Sequence, residues 1–327
     1  MPQQSYQYAC ARVSALSKRI LSPSAIRRMA EGSLDDALRT LADVRYGGMS
    51  DAADTDVEKL IEKELKGAAE ELDSLTPEQE VSNLFLLQND MQNLKMLIKA
   101  RLLGTSETRL ASGGVYTKEQ LGLCVRDRNY GLLPELLKES LTALEKQLDA
   151  KPSPQLISIS IDKAYSEYVK SVAVKSKFAA RYFAVKADFD NVLTFLRMRA
   201  MGSDRDSLAR ALLAEGGIKH KQLLAAYELS EESVERFLDE SVCRAELLSG
   251  LNAMHKSGSM GAVEKARDDC LLAMVSERRG DCDSFYPIIG YYLAKQREAQ
   301  AVRLIITAKR NGLADSVISE RLVKMYG

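Results

Sequence analysis

The clearest pattern in the chain is a helical one. From Leu84 to Leu103 the apolar residues fall at Leu84, Leu87, Met91, Leu94, Leu97, Ile98 and Leu102, mostly at steps of three and four. At about 100° per residue this places them on one face of a helix. Thr76-Pro77-Glu78-Gln79 reads as its start, with a capping threonine, proline at the first helical position and Gln79 three residues on. Ser22-Pro23 and Ser153-Pro154 repeat the cap-then-proline signature, and Gly104 stands where a helix should stop. Alternation at period two is clean only at Ile157-Ser158-Ile159-Ser160-Ile161, which reads equally as a strand or as the entry to a helix. The pattern predicts an all-α protein.

A long-period repeat runs through these helices. Aligned on a closing glycine, Asp90 to Gly104, Asp188 to Gly202 and Glu298 to Gly312 share an acid fourteen residues before the glycine. Leu94, Val192 and Val302 follow four residues after the acid. Leu97-Ile98, Phe195-Leu196 and Ile305-Ile306 come next, then Arg101, Arg199 and Lys309. Asn93 and Asn191 lie at the third step, where the last copy has Ala301; Phe85, Phe183 and Leu293 precede the acids by five. Beyond the glycine, Gly113-Gly114-Val115 with Lys118 matches Gly216-Gly217-Ile218 with Lys221. We therefore expect three related helical units, 1–111, 112–214 and 215–327, far longer than solenoid repeats. The base in the last turn suits the helix dipole. The acid and asparagine are placed to hydrogen-bond neighbouring backbone, so the signature reads as structural. A ligand role would need the three copies to converge on one axis.

The chemistry-bearing residues are sparse. The 327 residues contain 46 Lys plus Arg and 46 Asp plus Glu, so no basic excess points to nucleic acid. Two histidines, His220 and His255, lie in no HExxH or HxxxH context. No GxxxxGK[ST], GxGxxG or GxSxG occurs, and the Gly-Gly doublets lack the lysine of a phosphate cradle. Cys10, Cys124, Cys243, Cys270 and Cys282 are odd in number and form no CxxC, so we expect free thiols in a reducing compartment, with no disulfide framework, metal site or cofactor. No apolar run reaches the length of a membrane helix, and Met1–Ala15 has no apolar signal core, so neither a membrane span nor signal-directed export is expected. Charge is uneven. Residues 51–80 hold eleven acids against three bases, while 12–28 and 170–186 each hold five bases and no acid. These stretches are solvated helix faces or docking surfaces for charged partners.

The ordered set of motifs resembles the C subunit of the prokaryotic A/V-type rotary ATPases, whose eukaryotic relative is the d subunit of the vacuolar ATPase. Tyr8-Ala9-Cys10-Ala11-Arg12-Val13 with Arg19-Ile20-Leu21 resembles the family's opening. Asn89 to Lys95 with Lys99 to Gly104, Asp188 to Asn191 through Arg197-Met198-Arg199, and Tyr292 to Lys295 through Glu298, Arg303-Leu304-Ile305 and Lys309 to Leu313 resemble its three signatures. The resemblance spans almost the whole chain. Ala301 departs from it, which weakens any requirement for the polar pair in all three units.

What the resemblance implies is a funnel of three helical subdomains around a pseudo-threefold axis, acting as a non-catalytic rotor part. One side would receive the central stalk, made of the D and F subunits, and the other would rest on the membrane proteolipid ring. The chain would then be peripheral on the cytoplasmic face of the membrane and monomeric when isolated. Neither partner shares a threefold form, so polar, salt-sensitive contacts are expected. Arg12, Lys18, Arg19, Lys175, Lys177 and Arg181 are the candidate partner-facing residues. From the residues alone, a free-standing helical adaptor or an enzyme using an acid pair and an external metal stays open.

Overall fold

The computed structural model describes residues 5–49, 56–105, 109–229 and 235–322. Among them every regular element is helical and no strand occurs. In chain order the α-helices are α1 (Tyr6–Ser17), α2 (Pro23–Glu31), α3 (Leu34–Asp43), α4 (Val57–Leu75), α5 (Gln79–Leu103), α6 (Lys118–Asp127), α7 (Glu135–Ala150) and α8 (Pro154–Ala173). They continue with α9 (Lys177–Ala200), α10 (Arg205–Ala211), α11 (His220–Ala226), α12 (Arg244–Ser257), α13 (Gly261–Ser276), α14 (Tyr286–Arg310) and α15 (Asp315–Arg321). The alternating run at Ile157–Ile161 lies inside α8. Its isoleucines 157 and 161 are four apart and both buried, a helical spacing that the shorter alternation obscured. Part of the acidic stretch, residues 51–55, falls outside the described residues.

Capping follows the sequence at most starts. The Ser22 and Ser153 hydroxyls accept from the Ala25 and Leu156 amides, each with proline next in line. Ser33 with Asp36 and Thr117 with Gln120 form capping boxes. Thr76 is a correction. It ends α4 instead of starting α5, and its hydroxyl donates to the Leu72 carbonyl at 2.6 Å. A threonine between two helices can satisfy either end, and here the free carbonyls of α4 take it.

The chain condenses into two compact units. One combines residues 1–82 with 272–327, and the other holds residues 83–271. In the first, α14 packs along α4 and also touches α1, α2 and α3. Leu41, Ile61, Val302 and Ile305 are fully enclosed in its core. In the second, α7 and α8 pair, α8 packs on α9, and Phe85, Phe178, Tyr182 and Phe183 cluster. Phe85 and Phe183, equivalent positions of two repeat copies, meet with ring centroids 4.9 Å apart.

The cysteines depart from the expected five free thiols. Cys10 in α1 and Cys282, in the turn before α14, are joined by a disulfide with Cα atoms 5.3 Å apart. Their 272-residue separation hides the pairing from any local motif. It arises because α1 packs on α14. Cysteine usage therefore no longer argues for a reducing compartment. Cys124, Cys243 and Cys270 are free and buried.

Candidate functional site

The three long repeat helices end in the same way. Thr105, Ser203 and Leu313 donate to the carbonyls of Ala100, Met198 and Ala308, while Gly104, Gly202 and Gly312 donate to Arg101, Arg199 and Lys309. This pair of bonds is the Schellman closure, and it needs a left-handed residue at the glycine. The three φ angles are +67°, +65° and +67°.

The repeat acids are the most buried carboxylates of these helices. Asp90 is 0%, Asp188 2% and Glu298 0% exposed. Each accepts from backbone amides just ahead of a shorter helix. Asp90 takes the Val115 amide at 2.7 Å and the Tyr116 amide at 3.4 Å, immediately before the Thr117 cap of α6. Asp188 takes the Ile218 amide at 2.9 Å, before α11, together with the Gly217 amide and the Ser241 hydroxyl. Glu298 takes the Leu21 amide, before the Ser22 cap of α2. The third copy thus finds its loop 277 residues upstream, at the other end of the chain. A negative charge at a helix entrance is favourable by charge–dipole attraction.

The other signature residues complete the clamp. Asn93 forms a two-way bond with Ala111, accepting from its amide at 2.7 Å and donating to its carbonyl at 3.0 Å. Asn191 accepts from the Leu213 amide at 2.8 Å and donates to the carbonyls of Leu213 and Ala214. Arg101 donates to the Val125 carbonyl near the end of α6 and to Glu145, which also accepts from Tyr130. Arg199 donates to the Leu229 carbonyl just past α11. In the first two copies one long helix therefore holds a short helix at both ends, acid on its amides and base on its carbonyls. Lys309 differs, pairing with Asp315 at 3.1 Å. Ala301 is buried and offers no polar counterpart to the asparagines.

Burial raises all three acids above their ordinary range. Asp90 reaches about 7, since desolvation outweighs the two amides. Asp188 is raised by desolvation, opposed by its amides and Ser241. Glu298 is raised by desolvation and opposed chiefly by Lys295. That lysine contacts Glu298 and also Glu64 at 2.5 Å. Among the described residues, no copy carries a metal-type donor set beside its acid. Each carboxylate holds at least one backbone amide.

At Asp90 and Asp188 the Gly113-Gly114 and Gly216-Gly217 doublets are where the backbone wraps the carboxylate. A β-carbon on Gly216 would lie 2.3 Å from the Ala184 carbonyl oxygen and 2.4 Å from an Asp188 oxygen. At Gly202 a β-carbon would meet nothing within 4 Å, and only the positive φ resists it. We expect Gly216→Ala to cost about 1–3 kcal/mol or more by overpacking, and Gly202→Ala about 1 kcal/mol. Urea midpoints of the two variants test this; an equal or reversed order would show that the doublet is only a loop.

The partner-facing candidates divide. Arg12 is held by Glu71 at 2.6 Å. Lys18, Arg19, Lys175, Lys177 and Arg181 are exposed. The histidines are not brought together as a pair; the His220 ring contacts the Leu213 carbonyl at 2.6 Å. Sequence reasoning missed the Lys295–Glu64–Glu298 cluster and a charged groove of about 560 Å³ in the unit of residues 83–271. The groove is walled by the Lys95–Asp162 and Lys186–Asp190 ion pairs. The i, i+3 spacing of Lys295 and Glu298 was the one available signal.

Residues 9–321 match the family model of the ATP synthase (C/AC39) subunit. The chain belongs to that family. The C subunit of the A-type ATP synthase of Thermococcus onnurineus is 24% identical over 98% of this chain and 90% of its own length. The Methanosarcina acetivorans C subunit is 23% identical over 97% and 92%. The C subunit of the V-type sodium ATPase of Enterococcus hirae is 21% identical over 84% of each chain. The C/AC39 family supplies a structural rather than a catalytic subunit, which makes this chain part of a multi-subunit rotary ATPase. Among the described residues no helix is long and apolar enough to cross a membrane.

Proposed function

We propose that this C/AC39 protein is a rotor part that couples the central stalk, made of the D and F subunits, to the membrane proteolipid ring during ion transport. The family match along 9–321 carries this reading. The chain sits peripherally on the cytoplasmic face of the membrane, through its complex. Its signature residues are structural, and its three repeat copies form three subdomains, 1–111, 112–214 and 215–327, around a pseudo-threefold axis. The recurring clamp supports this, since the acid of each copy holds the entrance to a short helix and the last copy reaches back to the first. A part that transmits torque must resist shear between its helices, and buried hydrogen-bonded clamps supply that rigidity. The exposed basic residues Lys18, Arg19, Lys175, Lys177 and Arg181 are its partner contacts.

A mild-detergent pull-down of the tagged chain from its own membranes tests the proposal. We expect nucleotide-binding subunits, the D and F stalk and a proteolipid ring to come down together, and to separate as ionic strength is changed. Recovery of the chain alone, or with unrelated proteins, would favour an adaptor instead.

A further inference from the structure

Within the unit of residues 83–271, Cys243 and Cys270 bring their sulfurs to 2.7 Å of each other, though 27 residues separate them. Both are buried, at 6% and 5% exposure. The Glu246 carboxylate joins them, with the three donor atoms all within 4.8 Å of one another. We propose that Cys243, Cys270 and Glu246 form a binding site for one thiophilic divalent cation of the zinc class.

The framework for such a site is rigid. Cys243 occupies the cap position of α12, Glu246 lies in that helix's first turn, and Cys270 is on α13. The two helices touch backbone to backbone at Gly250, where a β-carbon would come 2.8 Å from the Ala266 methyl and 3.2 Å from the Val263 α-carbon. Cys243 is also tied from behind. Its amide donates to the Ser241 hydroxyl at 3.4 Å, and Ser241 bonds Asp188, the clamp acid of α9. Outer-shell bonds of this kind orient metal ligands.

The donor set selects the ligand. Two thiolates and a carboxylate suit zinc and its soft neighbours, and sulfur disfavours calcium and magnesium. Zinc–sulfur bonds of about 2.3 Å hold two sulfurs about 3.8 Å apart in a tetrahedron. Opening the pair by about an ångström needs only rotation about the single side-chain torsion of each cysteine. Glu246 is exposed, so the site has an entry path, and a solvent water would supply the fourth ligand of a bound ion. The third donor favours this reading over a redox dithiol, which has no use for a carboxylate beside its two sulfurs. A dication turns the same carboxylate into a ligand, and Arg181 offsets the residual negative charge. Binding releases the thiol protons to solvent.

The test is titration of the full chain, kept reduced under anaerobic conditions, with Cd²⁺ as the probe. We expect a thiolate-to-cadmium charge-transfer absorbance that saturates at one equivalent and protects two thiols from alkylation. Cys243→Ser and Cys270→Ser should each abolish it. Glu246→Gln, an exposed change that leaves the fold intact, should keep the absorbance but weaken binding by roughly ten- to a hundredfold. The proposal fails if no absorbance develops, if it persists in both serine variants, or if Glu246→Gln binds with unchanged affinity. Recovery of a Cys243–Cys270 disulfide in place of cadmium uptake would overturn it in favour of a redox pair.

Discussion

Lys295→Met should cost the protein about 3–5 kcal/mol, the usual result of removing one partner from a buried ion pair. Lys295 is 2% exposed and lies between Glu298 and Glu64, with its ammonium 5.4 Å from the centre of the Tyr46 ring. Without the lysine, Glu298 stays fully enclosed and is left with the Leu21 amide. Adding Glu298→Gln should recover much of the loss, because the glutamine oxygen still accepts from Leu21 and no charge remains there. Urea unfolding of the two single variants and the double variant closes the cycle. A single-variant loss below about 1 kcal/mol would mean that the cluster is wet and screened, as surface pairs are.

The second large effect is a pH dependence carried by Asp90. An unfolded aspartate titrates near 3.9, whereas burial lifts Asp90 to about 7 in the fold. Between these values the folded protein keeps a proton that the unfolded chain has lost. Stability contributed by this group therefore falls as pH rises from about 4 to about 7, and levels off above. About three pH units at 1.36 kcal/mol each make the total on the order of 4 kcal/mol. Asp90→Asn removes the titration while leaving an oxygen for the Val115 amide. The variant should therefore gain on the parent from pH 5 to about pH 7 in urea-derived stabilities, with the difference flattening by pH 8. Glu298 and Asp188 titrate in both proteins and cancel in the difference. Parallel stability curves would mean that Asp90 stays ionised throughout.

Much of this arrangement was legible because it is local. The helical period, the serine–proline starts and the closing glycines depend on residues within a turn or two of each other, and the structure has them as expected. Asp90, Asp188 and Glu298 stood out by repetition, but their partners did not. The Val115 and Ile218 amides lie 25 and 30 residues downstream, and the Leu21 amide lies 277 upstream. Thr76 misled because a hydroxyl between two helices serves either end equally well. The Cys10–Cys282 bond and the Cys243–Glu246–Cys270 cluster were invisible for one reason. Each is made by helix packing across a separation that leaves no spacing motif.

A unit assembled from both ends of the chain has a consequence for its birth. On the ribosome, residues 1–82 emerge first, but their core cannot close until α14 follows, about 200 residues later. At about 5–20 residues per second this is a wait of about 10–40 s. Residues 83–271 are translated in that interval and can settle around their own core. Meanwhile the apolar faces of α2, α3 and α4 stand uncovered, and the nascent chain is a natural client for holdase chaperones. Premature termination between the end of the middle unit and α14 would release a polypeptide whose middle is folded and whose beginning is sticky.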